Sequence, residues 1–204
     1  NNLFIYKRKK ILFLMRIVSQ NVTNYGIEVS SDTIFRINLA WCSSIDELKN
    51  ILQKHTQDKI FLDLPIKRIK PPNNRYTLDD LIPVISSHSQ IKYFAISNVE
   101  SSADLKDFIK ILPSNIILVP KIESPNAIQN ISDIANALPT EKKVLMLDHD
   151  DLFSKMIKNN EPIDNFKNYV QKLTDFCNSN KIVLLRTIGV IFSDEEKRIS
   201  DYVK

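Results

Sequence analysis

Glycine is nearly absent from this chain. Gly26 and Gly189 are the only two among 204 residues, whereas glycine makes up about 7% of an average protein. A glycine-rich phosphate loop of the Rossmann or Walker type therefore cannot be formed. Any bound phosphate must be held by side chains, by helix N-termini or by the backbone amides of other residues.

The chain also has few cysteines and a small net charge. Cys42 and Cys177 are too few and too widely separated for a zinc module or a disulfide framework, so a cytoplasmic, reduced protein is expected. The net charge is only +4, from 28 basic and 24 acidic residues, which gives no support to a nucleic-acid partner. The basic run at residues 7–10 is interpreted as a solvated terminus without function.

No hydrophobic run is long enough to predict a membrane span. The apolar run Ile11–Met15 is far shorter than the roughly 20 residues that a span needs, and Arg16 follows it. It is expected to be a buried strand, and no membrane partner is expected. Because 43% of the residues are apolar, the chain can bury a substantial core. We expect one domain over residues 1–204, with residues 1–10 as a tail or an extra strand.

Seven apolar, β-branched runs predict strands, and amphipathic stretches of helical period separate most of them. The predicted strands are Ile11–Val18, Thr33–Leu39, Lys59–Leu64, Ile91–Ser97, Ile116–Ile122, Lys143–Leu147 and Lys181–Thr187. This alternation indicates a parallel sheet covered on both faces. The predicted fold class is α/β, a (β/α)8 TIM-barrel-like fold that is incomplete or irregularly closed. Its open edge predicts a homo-oligomer.

Polar residues gather where the predicted strands end, and in a barrel these ends meet at one mouth. Lys121 and Glu123 are the most informative pair, because residues two apart on a strand share a face. The lysine could serve an anion and the glutamate a metal ion. Asp151 is either a ligand or an acid that complements the start of a helix. Arg36 is either a phosphate contact or the structural partner of Asp63.

Six short motifs follow one another as they do in the barrel domain of pyruvate kinase, which roughly residues 33–190 resemble. The motifs are Arg36–Asn38, Phe61–Asp63, Tyr93–Ser97 with Ser101–Leu105, Lys121–Glu123 with Asn130–Ile134, Met146–Leu152 and Lys181–Thr187. By this resemblance the chain is similar to the phosphoenolpyruvate/pyruvate-binding superfamily, which includes citrate lyase β subunits and pyruvate-class aldolases.

The resemblance implies a role for each residue at the strand ends. Mg²⁺ or Mn²⁺ would be bound by Glu123 and Asp151, catalysis would use Lys121 and Thr187, and a small-molecule carboxylate or phosphate would contact Arg36, Asn38, Asp63 and Ser97. The lid and C-terminal domains of pyruvate kinase are missing, so kinase activity itself is not expected. The implied function is a metal-dependent lyase or transferase acting through an enolate on a phosphoenolpyruvate- or pyruvate-like acid. The alternative is a non-catalytic pyruvate kinase-like protein kept for binding or assembly.

Overall fold

A computed structural model describes residues 17–19, 33–66, 76–139 and 141–186. Seven strands lie within these ranges: β1 (Ile17–Ser19), β2 (Ile34–Asn38), β3 (Lys59–Leu64), β4 (Ile91–Ile96), β5 (Ile117–Ile122), β6 (Val144–Leu147) and β7 (Val183–Arg186). All pairings between neighbours are parallel, and the strands follow one another in chain order. The predicted α/β class with a parallel sheet is therefore confirmed.

Helices follow most of the strands. They are α1 (Ile45–Lys54), α2 (Leu78–Ser87), α3 (Lys106–Ile111), α4 (Pro125–Gln129), α5 (Ile131–Ala137), α6 (His149–Lys158) and α7 (Asn165–Ser179), with short 3-10 turns at Leu39–Trp41 and Ser102–Leu105. Within the described ranges, none of these helices has the length and apolar character needed to cross a bilayer.

The sheet curls into a half-barrel. Over the described ranges, the strand pairings run from β1 to β7, and none joins β7 back to β1. A closed eight-stranded TIM barrel is thus not shown, and the part of the first predicted strand before Ile17 lies outside the described residues.

Local sequence explains where several helices begin. Ser44 accepts a hydrogen bond from the backbone of Glu47 at the start of α1, and Ser124 does the same for Ala127 at the start of α4. Thr77 and Asp80 form a reciprocal capping box at α2. Each cap satisfies amides that have no partner within the helix. The strand-to-helix turns are thereby fixed without glycine.

Alternation along the strands divides the core into two parts. One face packs against the helices, through residues such as Leu62 on β3 and Phe94 on β4. The other, which we call the inner face, carries a smaller apolar cluster contributed by strands alone: Ile34, Phe61, Tyr93, Ala95, Val119, Val144, Met146 and Leu185. Residues two positions further along these strands share the inner face. That next layer is polar.

Candidate metal centre

The polar layer on the inner face comes from the carboxyl ends of neighbouring strands. Its members are two residues beyond the apolar inner cluster on each strand: Arg36 on β2, Asp63 on β3, Ser97 after β4, Lys121 on β5 and Asp148 after β6. Parallel strands bring all these ends to one edge of the sheet. Except for Arg36, which is half-buried, they are buried.

Lys121 lies at the centre of this layer and is fully buried. Its Nζ atom lies 2.7 Å from Oε1 of Glu123 and 3.5 Å from one carboxylate oxygen each of Asp63 and Asp148. Nζ also donates to Ser97 Oγ at 3.5 Å. Burial works against the charged ammonium, but the three carboxylates outweigh it and raise the pKa of Lys121. The lysine is therefore a cation held by acids.

Arg36 and Asp63 form the ion pair that the sequence left as one of two alternatives. Arg36 Nε donates to Asp63 Oδ2 at 2.8 Å, and the guanidinium Nη2 donates to the same oxygen. The other carboxylate oxygen, Oδ1, is buried and accepts no hydrogen bond. The register explains the pairing, because Arg36 lies beside Phe61 and the carboxylate two residues further on is within reach of a long side chain.

Glu123 follows β5 and is almost completely buried. Its Oε2 accepts a hydrogen bond of 2.8 Å from the backbone amide of Asn98. Its Oε1 lies 2.7 Å from Nζ of Lys121, which is its ion-pair partner. Burial raises the pKa of Glu123, although Lys121 and the Asn98 amide oppose the rise. A further ligand of Oε1 would therefore compete with Lys121.

Asp148 and Asp151 bring two more carboxylates to Glu123. Asp148 lies beside Glu123 because Ile122 and Leu147, the residues before them, are paired between β5 and β6. Asp148 is the N-cap of α6 and accepts a hydrogen bond of 3.3 Å from the amide of Asp151. Glu123, Asp148 and Asp151 each offer an oxygen within 4.8 Å of the others, a grouping that could hold a metal ion.

The grouping lies among several other charged side chains. Four carboxylates, those of Asp63, Glu123, Asp148 and Asp151, surround the two cations Arg36 and Lys121. The pKa of the neighbouring Asp150 carboxyl is raised, first by burial and then by Asp148 and Asp151. Carboxylates grouped in this way would attract a divalent cation.

The other predicted site residues are placed differently. Asn38 is occupied at the end of β2, where its Oδ1 accepts a hydrogen bond of 3.0 Å from the amide of Ala40. Thr187 lies outside the described residues. Asp148 was not predicted from the sequence as a ligand, and Asn98 was not predicted as a contact of Glu123. A signal for Asp148 existed, because it directly follows a predicted strand and stands three residues before another acid.

Comparison with known proteins gives a fold likeness and no family. No family model matches the chain, and no curated protein matches it. Among solved structures, it is similar to the crystal structure of RipC from Yersinia pestis, with a TM-score of 0.59 and 16% sequence identity. The alignment covers 88% of this chain and 79% of RipC. At this identity the likeness shows the fold alone.

The assignment to the pyruvate kinase group is therefore wrong. The described sheet is a half-barrel rather than a pyruvate kinase barrel, and RipC is a solved structure to which it is similar. The predicted enolate chemistry on a phosphoenolpyruvate- or pyruvate-like acid falls with it, as does the non-catalytic pyruvate kinase-like alternative. The physical reason is that an apolar strand followed by a few polar residues recurs wherever parallel strands end in a covered sheet.

Proposed function

We propose that this protein binds a divalent metal ion, Mg²⁺ or Mn²⁺, through Glu123, Asp148 and Asp151. The observation that carries the proposal is the convergence of one carboxylate oxygen from each of these three residues within 4.8 Å, with Glu123 almost completely buried. The raised pKa of Asp150, to which Asp148 and Asp151 contribute after burial, agrees with a concentration of negative charge at this place.

The ligand types favour a hard cation. All three are carboxylates, and Mg²⁺ and Mn²⁺ prefer oxygen ligands, whereas zinc sites usually include histidine or cysteine. His149 is next to Asp148 in sequence, but the ligand grouping found in the described part of the chain contains no histidine. Three protein oxygens leave open positions on an octahedral ion, and these can be taken by water or by an exogenous ligand.

The second part of the proposal is that a small carboxylate or phosphate completes the coordination of the ion. The ammonium of Lys121 pairs with the carboxylates of Glu123, Asp63 and Asp148. An ion that takes the oxygens of Glu123 and Asp148 competes with Lys121 for them, and so leaves its ammonium able to pair with an anion. Ser97 would contribute its hydroxyl, Arg36 its remaining donors and Thr187 its own hydroxyl. Metal and anion would bind in that order.

Isothermal titration with MnCl₂ tests the metal site. The wild-type protein should bind one Mn²⁺ per chain, and Glu123→Gln, which keeps the size of the side chain, should abolish binding. Asp175→Asn is the matched control, because it removes an exposed carboxylate on α7 whose hydrogen bond is to Gln171. It should bind as the wild type does. The site would be refuted if the wild-type protein, at millimolar Mn²⁺, gave no heat of binding and did not change the spectrum of Mn²⁺.

A second titration tests the anion. Oxalate, a small dicarboxylate, should bind the Mn²⁺-loaded protein and not the metal-free protein. Lys121→Ala should lose oxalate binding while still binding Mn²⁺, because the lysine is assigned to the anion and not to the ion. Equal oxalate binding with and without Mn²⁺ would show that the two ligands do not share a site.

Three sequence-based expectations belong to the same proposal. Closure of the sheet toward an eight-stranded barrel, association into a homo-oligomer and a cytoplasmic location rest on strand count, the open edge and cysteine usage, respectively. Light scattering at increasing protein concentration tests the second of them, and a strict monomer would contradict it.

A further inference from the structure

Asn98 has an unusual backbone at the end of β4. Its φ angle is 55°, in the left-handed region that is uncommon for residues other than glycine and that asparagine tolerates best among them. It immediately follows Ser97, the hydroxyl that accepts from Lys121. The chain thus turns sharply next to the polar layer.

Three hydrogen bonds of Asn98 reach three different segments of the chain. Its backbone amide donates to Glu123 Oε2 at 2.8 Å, and its Nδ2 donates to the carbonyl of Ile66 after β3 at 2.7 Å. Its Oδ1 accepts from Lys155 Nζ on α6 at 2.7 Å. The first turn of α6 carries Asp151, and Asp148 caps it. Asn98 therefore connects Glu123, one candidate ligand, to α6, the helix that Asp148 caps and that carries Asp151.

We propose that Asn98 is a positioning residue of the metal site, which holds the Glu123 carboxylate with Oε1 turned toward Asp148 and Asp151. The inference rests on the proposed metal-binding function. The left-handed turn aims the amide at Oε2, and the side-chain bonds to Ile66 and Lys155 hold that turn. With Oε2 bonded to the amide, Oε1, which pairs with Lys121, is the oxygen that the ion would take. Groups that orient a metal ligand commonly affect metal affinity, as the ligands themselves do.

The other positive-φ residues in the described ranges provide a comparison. Asn160, with φ 56°, donates its amide to the carbonyl of Ile157 at the end of α6, and Lys181, with the same φ, donates to the carbonyl of Asn178. These amides complete local turns, whereas that of Asn98 is bonded to a carboxylate 25 residues away. Asn160 is thus a matched control for backbone strain without contact to the proposed site.

The test compares Asn98→Gly, Asn98→Ala and Asn98→Val with Asn160→Val, by Mn²⁺ titration of the folded proteins and by urea unfolding. Glycine accepts the left-handed conformation, alanine accepts it poorly and valine opposes it most strongly. We expect Mn²⁺ affinity to fall in that order, on the order of tenfold or more for valine. Asn160→Val should lower the urea midpoint but leave Mn²⁺ affinity unchanged.

The outcomes separate this inference from the proposed function. If the wild-type protein binds Mn²⁺ and the Asn98 variants bind it equally well, the positioning role is wrong and the metal site stands. If the wild-type protein binds none, both are wrong. Should Asn98→Val fail to fold, the difference between glycine and alanine decides, because both are small and differ mainly in tolerance of the turn. Equal affinity for those two would overturn the inference.

Discussion

The two faces of the sheet differ in how far their apolar character extends along the strands. On the helix-covered face, apolar residues continue to the carboxyl ends, as with Ile96 on β4 and Ile122 on β5. On the inner face, the apolar cluster stops before the carboxyl ends and is followed directly by ion pairs around Lys121. The helix-covered face therefore serves stability, whereas the inner face places charge where a ligand could use it.

Removal of the central cation should give the largest effect. Lys121→Met leaves Asp63, Glu123 and Asp148 close together without their ammonium, and breaking a buried pair in this way costs about 3–5 kcal/mol of unfolding free energy. Saturating Mn²⁺ should restore part of the loss, because the ion supplies the missing positive charge. Urea unfolding with and without Mn²⁺ measures both quantities.

Lys155→Met is the comparison for that prediction. Its ammonium is about one-third exposed, lies 3.8 Å from Glu100 Oε1 and donates to Asn98 Oδ1 at 2.7 Å, and each such partly exposed interaction contributes on the order of 1 kcal/mol. If Lys121→Met were as stable as Lys155→Met in metal-free buffer, the inner face would not be an electrostatically linked cluster.

On the helix-covered face, Leu62→Ala should destabilise the protein through lost packing alone. Leu62 has no exposed surface, and Leu→Ala substitutions at such positions cost about 3 kcal/mol. The Mn²⁺ affinity of the folded variant should be unchanged. The two faces would prove coupled if denaturant and Mn²⁺ titrations showed that this cavity weakened metal binding as well.

The cysteines test whether the helix-covered face excludes water. Burial raises the pKa of Cys42 to about 11, with a further contribution from Glu47, and raises that of Cys177 to about 12. Both thiols are therefore protonated at pH 8, and only thiolates react rapidly. Labelling with a disulfide reagent should be slow in the folded protein and rapid in urea. Rapid labelling without denaturant would contradict the packing described here.

Substitution of two helix caps, Ser44 and Asp148, should have the smallest effects on stability. Ser44→Ala removes the cap of α1 and should cost about 1 kcal/mol, with no change in Mn²⁺ binding. Asp148→Asn should cost less, because asparagine is an equally good cap, yet it should lower Mn²⁺ affinity on the order of tenfold or more. Equal Mn²⁺ binding by the two variants would remove Asp148 from the site.

The sequence predicted the sheet well because its signals are local. Apolar runs separated by amphipathic stretches identified β2 to β7, and polar residues such as Asp63 and Lys121 were expected at one edge. Of the first predicted strand, only Ile17 and Val18 lie among the described residues, and both belong to β1. The register that brings Arg36 to Asp63, and the left-handed turn of Asn98, depend on contacts between distant segments. Those contacts leave no periodic pattern in the sequence.

The family assignment failed for a related reason. Motifs of two to five residues were matched in order, but each is also what a parallel strand leading into a helix requires. Lys121 and Glu123 illustrate the distinction. Their sharing of one face followed from strand geometry, whereas the reaction assigned to them followed only from the resemblance.

A crystal structure of the Mn²⁺-soaked protein, with anomalous diffraction data, tests the central claim most directly. We predict one strong anomalous peak bonded to oxygens of Glu123, Asp148 and Asp151 at about 2.1 Å, the range of octahedral Mg²⁺-type sites. Glu123 should still accept the hydrogen bond from the Asn98 amide through its other oxygen. An anomalous map without a peak among these three carboxylates at saturating Mn²⁺, or with the ion bound elsewhere, would contradict the account.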